Sequence, residues 1–264
     1  MSRLETARIR GVLFDLDGVL YVGDQVIDGA AETLQWLKRN GIPFRFITNT
    51  STRTASAVAD KLQGLGFDID AAQIFSAVSA TRDYLARQGS PTVHLLIRDS
   101  ARTEFSEFDQ TDSVPDYVIV GDIGAAWDYR LLNRVFNELM AGAELIAMHM
   151  NKYWQTEQGL QMDIGAFVAG LEFVTGKHAT IIGKPSEEFF HLAVANMGLE
   201  PHQVLVVGDD IENDVGGAQA AGLSGVLVRT GKYREEFARR SEISPNAVID
   251  SIADLPGLLS SPSG

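Results

Sequence analysis

"GVLFDLDGVLY", Gly11–Tyr21, is the stretch on which the reading of the fold turns. Val12, Leu13 and Phe14 form an apolar run of the kind that fills a strand covered on both faces. Asp15 and Asp17 follow at once, with Gly18 behind them. Two carboxylates this close raise each other's pKa unless a cation or a reaction requires them. Taken alone, the stretch fits two readings. One is a strand running into an Asp-Gly turn with both side chains solvated. The other is a pair of acids held at a strand end for chemistry.

The surrounding sequence alternates strand and helix. "GAAETLQWLKRNG" (Gly29–Gly41) has helical spacing and a glycine stop. "IPFRFITNT" reads as a second strand ending in polar residues, and "STRTASAVADKLQGLG" (Ser51–Gly66) as a helix opened by hydroxyl caps. In the last third, "EEFFHLAVANMG" (Glu187–Gly198) is a helix, "QVLVVGDD" a strand, "NDVGGAQAAG" a glycine-punctuated helix and "LSGVLVRTG" a strand. "NAVIDSIADLPGLL" closes with a short strand and a helix. This order implies parallel strands with right-handed crossovers. Between the two regions, "TVHLLI", "DYVIVG" and "ELIAMHM" read as strands, and "DYRLLNRVFNELMAG" and "GAFVAGLEFVTG" as helices. Periodicity allows this stretch to be either more of the same sheet or a separate α/β lobe.

The chain has 264 residues, 45% hydrophobic and 22% charged, ordinary for a globular protein. No apolar run approaches the roughly 18 residues that a membrane span needs. The N-terminal "MSRLETARIRG" lacks the apolar core of a secretory signal, so a cytoplasmic location is expected. With no cysteine there are no disulfides and no thiol chemistry. A net charge of −13, from 35 acidic and 22 basic residues, argues against nucleic acid and anionic membranes as partners. An anionic substrate would need local positive charge from a metal, a lysine or backbone N–H groups.

Four short motifs fall where strands end, and in an open parallel sheet such ends converge. Besides "DLDG" there is "ITNTS", where Thr48 and Asn49 end a strand and Thr50, Ser51 and Thr52 open a helix. Free N–H groups at a helix start suit a phosphate, although plain turn chemistry also explains these residues. "GKP" sets Lys184 at an element junction, and "VLVVGDDIENDVGGA" sets Asp209, Asp210 and Asp214 past an apolar strand. Carboxylates there suit Mg²⁺, which takes one or two of them and keeps its waters. Together these groups form the inventory for phosphoryl transfer through an aspartyl-phosphate. Asp15 is the nucleophile and Asp17 first the acid and then the base.

The ordered set "DLDGVLY", "TNTS", "GKP" and "GDDIENDV" resembles the haloacid dehalogenase superfamily of aspartate-nucleophile phosphohydrolases. The wider wording, notably "KYWQTEQGLQMDIGAFVAGLEFVTG", is similar to one branch of it. That branch contains ribonucleotide monophosphatases and phospholysine phosphohistidine inorganic pyrophosphate phosphatase. The resemblance implies that Asp15 is the nucleophile and Asp17 the acid/base, whose carbonyl also meets the metal. It implies that Thr48, Asn49 and Lys184 bind phosphate, that Asp209 is a direct Mg²⁺ ligand, and that Asp214 supports the metal site from behind. It further implies a flap, "GVLYVGDQVIDG", and an α/β cap inserted between the second and third motifs.

The fold expected is therefore α/β: a doubly wound, Rossmann-like core at 1–79 and 183–264 with a cap domain at 80–182. The expected function is Mg²⁺-dependent hydrolysis of small phosphorylated metabolites. A phosphomutase or a receiver-like phospho-accepting domain remains the alternative. Relatives that dimerise through the cap make a homodimer the expected assembly. Tyr153 and Trp154 are expected to leave a cap strand for a polar loop. With Gln155, Glu157, Gln161 and Asp163 they are the candidates for substrate specificity. His94, His149, His178, His191 and His202 lack metal-ligand spacing and are expected to be structural.

Overall fold

Val12, Leu13 and Phe14 are fully shielded from water, and the strand they form, Gly11–Asp15, lies inside a six-stranded sheet. The computed structural model describes residues 4–111, 113–156 and 159–260. The sheet runs Ala247–Ile249, Ser224–Val228, Val204–Gly208, Gly11–Asp15, Phe44–Thr48, Ile74–Ser76. Its first five strands pair in parallel. Strands covered on both faces need apolar side chains in both directions, which "VLVVG" and "GVLF" supply. Phe14, Phe44 and Phe46 pack around one another with ring centroids 5.6–6.3 Å apart.

From Gly11–Asp15 the chain steps outward through Phe44–Thr48 and Ile74–Ser76. On the other side it is flanked by the three strands from the C-terminal region. The winding therefore reverses between Gly11–Asp15 and Val204–Gly208, and such a reversal opens a crevice beyond the strands' carboxyl ends. Phe14 is paired with Val207, so Asp15 stands level with Gly208, one residue before Asp209. Adjacent strands thus deliver the first and fourth motifs to one place. The core is the doubly wound, Rossmann-like sheet that the alternation implies.

The chain divides into two compact units. One comprises Met1–Thr48, Val58–Phe75 and Lys184–Gly264, the other Asn49–Ala57 and Ser76–Gly183. The second unit has its own parallel sheet in the order Thr180–Ile181, Glu144–Ala147, Tyr117–Val120, Val93–Leu96. Helices Tyr129–Met140 and Gly165–Thr175 bury Val135, Leu139, Val168 and Leu171 against its Val118, Val120 and Leu145. Asp128 starts the first of these helices by accepting the Leu131 N–H at 2.7 Å. Among the described residues no helix is long and apolar enough to cross a membrane.

Two local expectations are corrected. The helix expected from Ser51 begins at Ala55, where Thr54 Oγ1 accepts the Ala57 N–H at 3.2 Å. Ser51 and Thr52 stay out of it because they are tied elsewhere. Ser51 Oγ accepts the Asp122 N–H, and the Thr52 carbonyl accepts Ser100 Oγ–H. These bonds also explain why Asn49–Ala57 clusters with the second unit. The polar loop expected after Tyr153 is instead a hairpin, Tyr153–Thr156 paired antiparallel with Gly159–Met162. Aromatic and β-branched residues favour a strand there, and Gly159 opens the second strand with a positive φ of +108°. Glu157 lies outside the described residues.

Candidate active site

Asp15 is the last residue of its strand and is buried, as are Lys184, Asp209 and Asp214. A buried charge is tolerated only when paired. Lys184 provides the pairing by bridging two carboxylates: its Nζ lies 2.7 Å from Asp15 Oδ1 and 2.6 Å from Asp214 Oδ1. Burial works against the Lys184 charge, but Asp15 and Asp214 outweigh it and hold its pKa above the ordinary lysine value.

The fourth motif is organised by its own backbone. Asp210 opens a wide helical turn, Ile211–Gly216, by accepting the N–H groups of Glu212 and Asn213, each at 2.9 Å. Its carbonyl accepts from both Asp214 and Val215, the latter five residues on, which widens the turn and swings Asp214 inward. Asp214 Oδ2 then accepts the Asp210 N–H at 3.0 Å. Both Asp214 oxygens are therefore occupied.

Asp209 differs. Its Oδ2 accepts the Lys232 N–H at 2.7 Å, but its Oδ1 is buried without a hydrogen-bond partner. Oδ2 is held in a cradle of two glycines with positive φ, Gly18 at +86° and Gly231 at +61°. A Cβ at either would collide with that oxygen. Ligand oxygens of Asp15, Asp209 and Asp214 lie within 4.8 Å of one another. A buried carboxylate oxygen with nothing to bind, beside a second carboxylate, fits a hard divalent cation. Asp15 and Asp209 can be its ligands, with Asp214 holding Lys184 behind them. In the metal-free protein, burial pushes the Asp209 carboxyl well up; Lys232 opposes this, while Asp15 and Asp214 add to it. Burial likewise lifts Asp214 to about 6 against the pull of Lys184.

Asp17 keeps one side open to solvent while protein crowds the rest. That crowding and the neighbouring Asp15 raise its carboxyl to about 6, against Lys61 and Lys232. The hairpin Tyr21–Val22 with Gln25–Val26 follows it, closed by Gly18 N–H donating to Tyr21 O at 2.7 Å. Thr48 is buried at the end of the strand next to that of Asp15. Asn49 belongs to the second unit, where its Nδ2 donates to Asn151 Oδ1 at 3.2 Å.

In the second unit, Tyr153 is half-buried and Trp154 is 43% exposed, opposite Gln161 on the partner strand. Asp163 is buried, its Oδ1 accepting the Ile164 N–H at 2.7 Å and lying 4.0 Å from His149 Nε2. It is engaged with the start of the Gly165–Thr175 helix rather than displayed to solvent.

Sequence reasoning passed over Lys232. Its Nζ lies 3.0 Å from Asp210 Oδ2, and its N–H holds Asp209. Asp210 is pulled down to about 2: burial pushes it up, but Lys232 and the donors of Asn213 prevail. The signal available was "RTGKY", a glycine and a cation directly after a buried strand.

Parallel strands that end in a buried carboxylate and an unsatisfied aspartate, with a lysine bridging the first to a third acid, suit an enzyme that works on phosphoryl groups. Known proteins agree. Residues 12–111 match the family described as haloacid dehalogenase-like hydrolase, and residues 181–255 the one described as HAD-hydrolase-like. Phospholysine phosphohistidine inorganic pyrophosphate phosphatase of Rattus norvegicus is 37% identical over 257 residues, 95% of this chain and 94% of that protein. Haloacid dehalogenase-like hydrolase domain-containing protein 2 of Homo sapiens is 38% identical over 243 residues, 92% of this chain and 93% of that one. The crystal structure of 4-nitrophenylphosphatase from Thermotoga maritima superposes with a TM-score of 0.89 at 26% identity, covering 98% and 99% of the two chains. The chain belongs to the haloacid dehalogenase-like hydrolases, as a phosphatase of that family.

Proposed function

We propose that this protein hydrolyses small phosphorylated metabolites through an aspartyl-phosphate on Asp15, with Mg²⁺ bound by Asp15, Asp209 and the Asp17 carbonyl. The observation that carries this reading is the Lys184 bridge between Asp15 and Asp214 beside the unpartnered Asp209 Oδ1. Lys184 holds Asp15 in one orientation and places a positive charge where phosphoryl oxygens would gather. Bound Mg²⁺ would neutralise developing charge on those oxygens. Asp17, whose carboxyl is lifted to about 6 and so binds a proton more readily than an ordinary aspartate, gives its proton to the leaving oxygen and then takes one from the water that attacks the acyl-phosphate. Thr48 and Asn49 supply uncharged donors to the phosphate.

The second unit is the inserted cap, with Tyr153, Trp154 and Asp163 as specificity residues. It is also the surface through which a homodimer forms. Phosphomonoesters are the main substrates. The name of the rat relative adds pyrophosphate and phosphoamino compounds to those worth trying. We place the protein in the cytoplasm, with neither nucleic acid nor membrane as partner.

The experiment is release of inorganic phosphate from a panel of phosphorylated metabolites and pyrophosphate, with and without Mg²⁺. Metal-dependent release from some of them is expected. Release that persists after exhaustive chelation would exclude the metal part of the reading. A covalent phosphoryl group mapped elsewhere than Asp15 would exclude the nucleophile.

A further inference from the structure

Lys61 lies outside all four motifs, yet it meets the hairpin that follows Asp17 at several points. Its Nζ donates to the Gly23 carbonyl at 2.8 Å and sits 4.0 Å from the centre of the Tyr21 ring. It also lies 3.9 Å from Asp24 Oδ1. Tyr21 is buried, on the first strand of the hairpin, and Gly23 and Asp24 form its tip. The hairpin itself is slight, two short strands of two residues each. So small an element does not hold its place by its own ladder. The Gly18 N–H to Tyr21 O bond and the Ile27 N–H to Leu20 O bond, 2.7 and 2.9 Å, tie its base. Gly18 directly follows Asp17, and Asp17 makes an isolated bridge with Tyr21. What holds Tyr21 in place therefore also holds Asp17.

We propose that Lys61 is a positioning residue: its ammonium clamps the Tyr21–Val26 hairpin by its tip and its ring, and so fixes Asp17 for proton transfer to the leaving group. This rests on the reading of Asp17 as the acid. A cation suits the task because one group satisfies a carbonyl and an aromatic face together. A neutral side chain of the same length keeps the packing but neither attraction.

The test compares Lys61→Met and Lys61→Arg with Asp17→Asn, using phenyl phosphate and p-nitrophenyl phosphate. These esters are nearly equal in size and differ in how much the leaving oxygen needs a proton. Lys61→Met should lower kcat/KM, which reports only the steps through departure of the leaving group, about ten-fold on phenyl phosphate and about two-fold or less on p-nitrophenyl phosphate, part of the roughly 10²–10⁴-fold that general acid catalysis contributes. Lys61→Arg should restore both values. Hydrogen exchange at the Gly18 and Ile27 amides should quicken in Lys61→Met and recover in Lys61→Arg. Unchanged exchange at those amides would overturn the clamp. Quicker exchange with equal losses on both esters would overturn its link to proton transfer. If Asp17→Asn were itself indifferent to the leaving group, the acid assignment would fall separately, while exchange would still decide the clamp.

Discussion

Lys232 holds two successive aspartates with two different groups. Its main-chain N–H donates to Asp209 Oδ2 at 2.7 Å, and its Nζ lies 3.0 Å from Asp210 Oδ2. The first contact survives any side-chain substitution but proline, so a variant such as Lys232→Met isolates the charge. In Lys232→Met the cation that draws down Asp209, Asp210 and Asp214 is gone, and all three carboxyls rise. Protons then compete better with Mg²⁺ at low pH, while the lost repulsion from the ammonium favours Mg²⁺ where the carboxylates are already ionised. Relative to the unaltered protein, the Mg²⁺ concentration for half-maximal activity should increase at pH 6 and not at pH 8. Titrations at the two pH values check this, and a pH-independent increase would contradict it.

Asp15→Asn should abolish turnover, because a carboxamide cannot form the acyl-phosphate. The fold should tolerate the change, since Lys184 keeps its bond to Asp214. Steady-state rates and a melting curve measured together separate the two effects. A well-folded Asp15→Asn protein with full activity would remove Asp15 from the mechanism.

Lys184→Met has a cost that the sequence alone does not suggest. Read as a junction lysine, Lys184 should matter to catalysis more than to folding. The structure shows it buried between two carboxylates, so its loss leaves Asp15 and Asp214 unpaired. Removing one partner of a buried ion pair costs about 3–5 kcal/mol. A marked drop in Tm should therefore accompany the loss of turnover. Adding Asp214→Asn should recover part of the Tm and none of the activity. Recovery of activity in the double variant would show that Lys184 acts only through folding.

The pH dependence of stability follows from the same carboxyls. Asp17 and Asp214 rise to about 6 and Asp209 well above the ordinary value, so each binds a proton more tightly folded than unfolded. The folded metal-free protein takes up protons as pH falls through the window between about 4 and 6. Its stability is thus greatest at the acid side of that window and declines as pH rises through it. Asp210, pulled down to about 2, runs the opposite way, but its stabilisation is lost only below pH 4. Mg²⁺ binds the deprotonated carboxylates of the folded state and offsets the decline. The rise in Tm on adding Mg²⁺ should be larger at pH 7.5 than at pH 5. An equal rise at both would place the cation elsewhere.

The strand-end aspartates were legible because nothing in a strand buried on both faces explains Asp15 or Asp209. Alternating elements then require parallel strands, and parallel strands bring their carboxyl ends together. Lys232 was not legible, since a lysine past a strand usually lies in solvent; its half-buried place rests on the ion pair with Asp210, which a helical stretch and a strand separate from it in sequence. Ser51 and Thr52 read as helix caps because their partners, Asp122 and Ser100, lie far along the chain. The hairpin at Tyr153 was hidden for a related reason. A four-residue strand shows its identity only through the partner that pairs with it.

Trp154 and Asp163 make the last contrast. Both carry groups suited to recognising a leaving group, yet the second unit holds them differently. Trp154 is 43% exposed on a hairpin strand, so its ring is available to a substrate at little cost to the fold. Asp163 is buried, with Oδ1 committed to the Ile164 N–H and close to His149. Trp154→Ala should therefore change relative kcat/KM among phosphorylated metabolites and leave a small aryl phosphate nearly untouched. Asp163→Ala should instead lower Tm, by an amount corresponding to the roughly 1–3 kcal/mol that a buried N–H left without its partner costs, and slow all substrates alike. Measuring kcat/KM for both variants over one panel, with melting curves beside it, distinguishes the roles. A uniform loss in Trp154→Ala would move specificity off this hairpin. A selective change in Asp163→Ala at unaltered Tm would show that its carboxylate reaches the substrate after all.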